Sequence, residues 1–475
     1  MDSRVFSRYI GGVLATVVTL TGCGGSQGGT AITPQGGSPA SAHQDRVGSH
    51  KGGAQTTAFT VKGRELLLNG KAFFVKGMDY GNAQINAYPD PNPLDDANEP
   101  IWSQDLAEMR AAGVNSLKVY NISLSSFKPY YSQLGQNFSP LRPDETGKIG
   151  KFLTAAWNGG DHPIYVVLSL AFSGQNVLIP NYAKTIATVA ELSTKEYSAY
   201  PAFMGFSIGN EINDATVRVN PAWWKALNEI DAGFKAGYKE ANAEKITTTT
   251  MVDDNMDTLQ QGEANHFTVD VWGINSYRGF TFTNIWKQFH SDTKKPALIS
   301  EYGYSTAYYP AAGAQYDDTL HYCPTDTYPK DYNKAPYYGL PAPRPWETAK
   351  ELPATGNPNS QDYVNLVKAN ADEVFQHSTT QSGGDNVGSG GYYFEWNDEW
   401  WKSGWPNAPH IGGEGNVITT NAVFPGCYRD EGWFGLNAVA PTGTGTKPFP
   451  ARTADKRIPK PALKAIEKAF ASQPD

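Results

Sequence analysis

Gly205-Phe-Ser-Ile-Gly-Asn-Glu-Ile-Asn213 is a short apolar run that ends on a glycine and delivers Asn210 and Glu211 side by side. Phe203–Ile208 reads as a buried strand ending at Gly209, and Asn213 and Asp214 open a polar loop. A carboxylate at the end of a buried strand loses solvation, so it is either hydrogen-bonded for structural reasons or functional. A second carboxylate has the same setting: in Pro296-Ala-Leu-Ile-Ser-Glu-Tyr-Gly303, Glu301 closes another short apolar strand. Two strand-end glutamates are the equipment for acid/base and nucleophilic chemistry on a glycosidic bond.

Outward from this pair, strands and helices alternate. Candidate strands are residues 73–77, 114–120, 164–170, 203–208, 247–252, 269–275, 297–300 and 391–396. Most are continuous apolar runs, as parallel strands buried on both faces should be. Between them lie patterns with one apolar face at helical spacing: Trp102, Leu106 and Met109; Ile186, Val189 and Leu192; Trp223, Leu227, Ile230 and Phe234; Tyr363, Val367 and Val374; and a last helix over residues 461–470. Eight such alternations ending in a helix predict an α/β fold, a (β/α)8 TIM barrel, rather than an open sheet. Before it, Lys62-Gly63 and Asn69-Gly70 punctuate three short apolar runs and predict a small β-hairpin ornament. Residues 305–359 and 397–448 break the rhythm after the seventh and eighth strands. Both are expected as long loops on the C-terminal face, where barrel active sites sit.

The first residues read as an export signal. Arg4 and Arg8 precede an apolar stretch over residues 9–20, too short to span a bilayer, and small residues follow it. Leu20-Thr-Gly-Cys23 resembles a bacterial lipobox, which implies cleavage before Cys23 and lipidation of its thiol. The expected organisation is a lipoprotein signal at 1–23, a Gly/Ser-rich tether at 24–57 and one catalytic domain at 58–475. The protein is then extracytoplasmic and held to a membrane, outer membrane or cell surface, by its lipid. With Cys23 set aside, Cys323 and Cys427 remain as a candidate disulfide between the two long loops. The 39 Lys and Arg stand against 47 Asp and Glu, a net charge of −8, with no long basic run, so the footprint of a nucleic-acid binder is missing. Aromatic residues make up 12% of the chain, which suits a cleft offering flat apolar faces to sugar rings. A monomer is expected.

The runs Phe73-Phe-Val-Lys-Gly-Met-Asp-Tyr80, Gly113-Val-Asn-Ser-Leu-Lys-Val-Tyr120, Gly209-Asn-Glu211, Trp272-Gly-Ile-Asn-Ser-Tyr277 and Ile299-Ser-Glu-Tyr-Gly303 together resemble the clan A barrel glycoside hydrolases. Their order and spacing are most similar to the β-1,3-glucanosyltransferases and more loosely to the catalytic barrels of β-galactosidases and β-glucuronidases. The resemblance implies a retaining enzyme without cofactor or metal that acts on a β-linked glucan or related carbohydrate. It assigns Glu211 as acid/base and Glu301 as nucleophile. By the same resemblance Asn210 bonds the sugar 2-hydroxyl, Tyr277 orients the nucleophile and Trp396 floors the sugar pocket, with Tyr80 among the substrate-binding residues. One position departs from the pattern: where the clan carries an Arg near the end of its second strand, this chain has Lys118, a point charge without a planar fork.

Rival readings are a barrel that only binds polysaccharide, and a β-mannosidase-like or β-galactosidase-like hydrolase. Asp253, Asp254, Glu395, Asp398 and Glu399 also fall at strand ends and are expected to bind hydroxyls or form the rim. No His pair has metal-ligand spacing. Gly205-Phe-Ser207-Ile-Gly209 fits the nucleophile-elbow pattern of serine hydrolases, but Ser207 lies within the apolar run and no helix pattern follows at once.

Overall fold

The fold is seen in a computed structural model that describes residues 57–82, 84, 93–120, 149–170, 172, 174–253, 257–304, 361–381, 386–399, 434–440 and 454–473. Eight parallel strands form its wall: β1 (Val75–Tyr80), β2 (Ser116–Val119), β3 (Tyr165–Leu170), β4 (Phe203–Ile208), β5 (Ile246–Thr249, continued by Met251–Val252), β6 (Trp272–Asn275), β7 (Ala297–Tyr302) and β8 (Gly388–Tyr393). Each is hydrogen-bonded to the next, and β8 returns to β1. β5 stands at both ends of the strand order, its first half paired with β4 and its second half with β6, so the sheet closes into a ring. Among the described residues one helix follows each strand: α1 (Glu99–Ala111), α2 (Gly150–Trp157), α3 (Tyr182–Tyr197), α4 (Pro221–Glu240), α5 (Asp257–Ala264), α6 (Ile285–Asp292), α7 (Gln361–Gln376) and α8 (Pro461–Ala471). This is a (β/α)8 barrel.

Five of the described helices, α1, α3, α4, α7 and α8, form where the apolar spacing predicts them. In α4 the Asn220 side chain accepts from the Ala222 amide and Pro221 takes the first turn, where its missing N–H is no loss. Trp223, Leu227, Ile230 and Phe234 then present one fully buried stripe to the sheet. In α3 the stripe is Ile186, Val189, Ala190 and Tyr197, whereas Leu192 is 42% exposed and lies off it.

Strand limits differ from the apolar runs for definite reasons. β1 begins two residues later than its apolar run and continues through the buried Asp79 and Tyr80, the first turned inward to Lys118 and the second outward to Asp105 of α1. β8 starts in the glycine-rich Gly388-Ser-Gly-Gly391, which no propensity marks as strand. At Gly390 a Cβ would stand 2.3 Å from the Val75 carbonyl oxygen, so only glycine lets β8 approach β1 this closely. At the β5 seam the Thr249 hydroxyl takes over a ladder position, bonding both the amide and the carbonyl of Gly273.

The base of the ring is closed from below. Phe59–Lys62, Glu65–Leu68 and Lys71–Ala72 form an antiparallel sheet whose second turn has Asn69 and Gly70 both at positive φ, as a tight hairpin turn requires. Phe59 and Leu66 from this ornament pack under Tyr165, Val167, Met204 and Leu298 of the barrel interior. Its leading residue is pinned by Lys245, whose Nζ donates to the Thr57 carbonyl at 3.0 Å and to its hydroxyl at 2.9 Å. After β8 a small hairpin pairs Asn437–Ala440 with Lys456–Pro459, within and beyond the stretch expected as loop.

Candidate active site

Glu301 is the next-to-last residue of β7 and only 2% exposed. A buried carboxylate needs donors, and three converge on it. Oε1 accepts from Lys118 Nζ at 3.2 Å and from the Tyr120 hydroxyl at 2.7 Å, and Oε2 accepts from the Tyr277 hydroxyl at 2.9 Å. Lys118 and Tyr120 are two residues apart at the end of β2, so the strand repeat of two puts both on the inner face. Burial, and then the surrounding carboxylates, push both phenols well above their ordinary range. They remain donors at any working pH.

Glu211 follows β4. The chain leaves the strand through Gly209 at φ +73° and reaches Glu211 at φ +51°, a left-handed conformation that costs a non-glycine residue about 1–2 kcal/mol. The Glu211 amide donates to the Thr250 carbonyl at 2.7 Å, and this carbonyl lies at the break in β5. The Asn213 side chain extends the clamp, accepting from the Val252 amide at 3.0 Å and donating to the Val252 carbonyl at 3.0 Å. The Glu211 side chain accepts from Asn275 Nδ2 at 2.9 Å, and the Asn275 amide is oriented by the Ser300 hydroxyl on its Oδ1 at 2.7 Å. The end of β6 therefore serves both carboxylates, Asn275 holding Glu211 and Tyr277 holding Glu301. Next to Glu211, the half-buried Asn210 has an Oδ1 with no hydrogen-bond partner among the described residues.

Lys118, in the position where the resembling clan has Arg, bonds Glu301 and also lies 3.3 Å from Asp79 Oδ1. Asp79, Tyr120 and Asn275 are site residues that apolar runs do not reveal. The available signal was a polar side chain two positions from another at a strand end, as in Lys118/Tyr120 and Asn275/Tyr277.

Two of the residues that the resemblance assigns to sugar binding are elsewhere. Tyr80 and Trp396 are at most 1% exposed and belong to a buried node around Asp105 of α1. Its carboxylate accepts from the Tyr80 hydroxyl at 2.7 Å, Trp396 Nε1 at 3.2 Å, and Arg457 Nε and Nη2 at 2.9 and 2.8 Å. The indole is tied on this side and buried in this arrangement. The aromatic rings beside the carboxylates are instead Phe394, edge-on to Tyr120 at 6.1 Å, and Phe434, edge-on to Tyr277 at 5.8 Å.

The other strand-end acids are engaged by neighbouring basic groups or buried. Asp253 accepts from the Ser276 hydroxyl and Arg278 Nε, each at 2.7 Å. Asp398 pairs with Lys460 at 2.6 Å and takes the Gly435 amide at 3.0 Å, and burial pushes its carboxyl up to about 7. Glu395 and Glu399 are 1% and 8% exposed. Ser207 lies inside β4 and shares a hydrogen bond with Thr250, in no elbow. Among the described residues, no group of three His, Cys, Asp or Glu side chains is placed to hold a metal ion. Cys23, Cys323, Cys427, Asp254 and most of the two long loops lie outside the described residues.

The 1,3-beta-glucanosyltransferase gel2 of Aspergillus fumigatus is 25% identical to this chain over 272 residues, 51% of this chain and 50% of its own length. The probable 1,3-beta-glucanosyltransferase GAS3 of Saccharomyces cerevisiae is 23% identical over 265 residues, 49% of this chain and 46% of its own length. The chain thus spans about half the length of the curated relatives it matches. Among solved structures, Saccharomyces cerevisiae Gas2p in complex with laminaripentaose aligns over 88% of this chain and 70% of its own, with 17% identity and a TM-score of 0.47. A GH2 beta-galacturonidase from Eisenbergiella tayi bound to galacturonate aligns over 88% and 55%, with 14% identity and a TM-score of 0.48. No protein-family model matches the chain. At this low identity, the curated relatives fit a clan A glycoside hydrolase barrel.

Proposed function

We propose that the chain is a retaining β-glycoside-active enzyme, a transglycosidase of β-1,3-linked glucan, with Glu301 as nucleophile and Glu211 as general acid/base. The observation that carries the reading is the pair of strand-end glutamates, one wrapped in three donors and both served by the end of β6. A barrel that only bound polysaccharide has no use for such a shell. The donors hold one Glu301 oxygen pair in a fixed orientation for attack on the anomeric carbon. Glu211 protonates the leaving oxygen and then deprotonates water or an acceptor hydroxyl. Asn210, whose buried Oδ1 has no partner among the described residues, is suited to the sugar 2-hydroxyl, a contact that strengthens in the transition state. The activity for which the relatives are named, 1,3-beta-glucanosyl transfer, supports the glucan and the transfer step.

The test is chromatography of a digest of a single-length laminari-oligosaccharide. Products longer than the substrate are expected. Only shorter products mean a plain hydrolase, and no products turn attention to another β-linkage. Glu301→Ala and Glu211→Ala should each lower turnover at least about a thousandfold, with azide rescuing the Glu301 variant to an α-glycosyl azide. Near wild-type turnover in either variant removes that residue from its role.

The proposed site of action is outside the cytoplasm, with the chain anchored through an acylated Cys23. The lipobox-like run supports this. Mass spectrometry of the membrane fraction reads the first residue directly; an unmodified N-terminus beyond Cys23 rejects the anchor.

A further inference from the structure

Lys118 is one ammonium between two carboxylates. Its Nζ lies 3.2 Å from Glu301 Oε1 and 3.3 Å from Asp79 Oδ1, and the side chains of all three are at most 2% exposed. Two carboxylates and one cation, sealed together, leave one negative charge without a partner. Groups sharing a site this closely titrate as a unit, and the group with weaker donors holds the proton. Glu301 has three donors, two of them phenols that stay protonated. Asp79 sits deeper, at 0% exposure, against the same ammonium.

We propose that Asp79 is the positioning residue that keeps the charge of this site constant: it holds a proton while Glu301 is ionised and releases it when Glu301 becomes a glycosyl ester. The inference rests on the reading of Glu301 as nucleophile. In the first half of the reaction the bond from C1 to the leaving oxygen breaks, that oxygen takes the Glu211 proton, and C1 bonds a Glu301 oxygen. Glu301 thereby loses its charge, and Asp79 gives its proton to solvent and becomes the counterion of Lys118. In the second half Glu211 takes a proton from water or the acceptor hydroxyl, whose oxygen bonds C1 as the ester bond breaks. Glu301 regains its charge and Asp79 takes up a proton again. No charge is left uncompensated beside Lys118 at either stage.

The surroundings agree. Burial raises the Asp79 carboxyl well above the usual carboxylate range, Glu301 raises it further, and Lys118 and Tyr120 oppose this. The titratable and charged groups that face or feel Asp79 come from every neighbouring strand: Lys118 and Tyr120 from β2, Tyr277 from β6, Glu301 and Tyr302 from β7, and Tyr392 from β8. Burial holds the four tyrosines protonated, so they do not change the field at Asp79 within the ordinary pH range.

Infrared difference titration of the carboxyl band, which needs no sugar, tests this. The wild-type chain should show a protonated carboxyl that persists above the usual aspartate range and is absent in Asp79→Asn. In Glu301→Gln, whose amide stands in for the neutral ester, the same band should titrate at least about one pH unit lower, a tenfold loss of proton affinity. The Glu301→Gln arm leaves Asp79 and Lys118 in place and stands even where Asp79→Asn does not fold. A band that survives in Asp79→Asn, or an unchanged titration in Glu301→Gln, overturns the proposal. Since no substrate enters, absence of activity on β-glucan would count against the proposed function and leave this result untouched.

Discussion

At the scale of single residues, the site separates groups that make chemistry from groups that make shape. Tyr277 donates to Glu301 Oε2 while its ring packs edge-on to Phe434, so Tyr277→Phe deletes one donor and keeps the packing. Its expected cost is roughly a hundredfold in kcat/KM, since the donor is aimed at a group whose charge changes during the reaction. The cost in stability should be only about 1 kcal/mol, that of one hydrogen bond. Steady-state kinetics beside thermal unfolding reads both; a large drop in melting temperature with intact turnover would make Tyr277 a structural residue. The strand-end positions of Glu211 and Glu301 were readable from apolar runs that stop at a carboxylate. Asp79 and Asn275 were not, because a run of one polar residue among apolar ones looks the same whether its side chain enters the barrel or leaves it.

Among elements, the node at Asp105 shows how a motif can mislead. Tyr80 closes β1 and Trp396 follows β8, both at the end of the barrel that carries the site, and both turn to α1 and the last hairpin instead. Trp396→Phe keeps an aromatic ring in the core and loses only the indole N–H. KM for a glucan oligosaccharide should stay within about twofold while stability falls by about 1–3 kcal/mol, from a cavity and one lost hydrogen bond to Asp105. A KM that rises tenfold with unchanged stability would return Trp396 to the sugar pocket. The eight strands and five of the eight described helices were legible, since burial on both faces writes itself as apolar runs and one buried face as helical spacing; the short α2, α5 and α6 were not. Boundaries were less so: β8 runs through glycines whose presence reflects the approach of β1, and the break in β5 depends on a threonine hydroxyl that replaces a backbone partner.

For the whole molecule, the ring is stoppered at its base by the N-terminal ornament, and Lys245 holds the first described residues to it. Burial lowers the Lys245 ammonium from 10.5 to about 7. Between those values the unfolded chain binds a proton that the folded chain does not, so stability rises with pH across this window, and below about 7 the full penalty of charging a buried amine is felt. The span corresponds to roughly 3–5 kcal/mol. Lys245→Met removes the titration, so its melting temperature relative to wild type should be highest below pH about 7 and fall as pH climbs toward 10.5. A constant offset across the window refutes the assignment. The seam at Thr250 has a consequence for how activity is lost on warming. A ring opens first where its ladder is broken, and this join also carries the carbonyl that fixes the Glu211 backbone. Breathing of the barrel then releases Glu211 while Glu301, held from β2 and β6, stays in place. Heat should silence the enzyme before it melts it, with hydrogen exchange at the Glu211 amide keeping pace with the lost turnover.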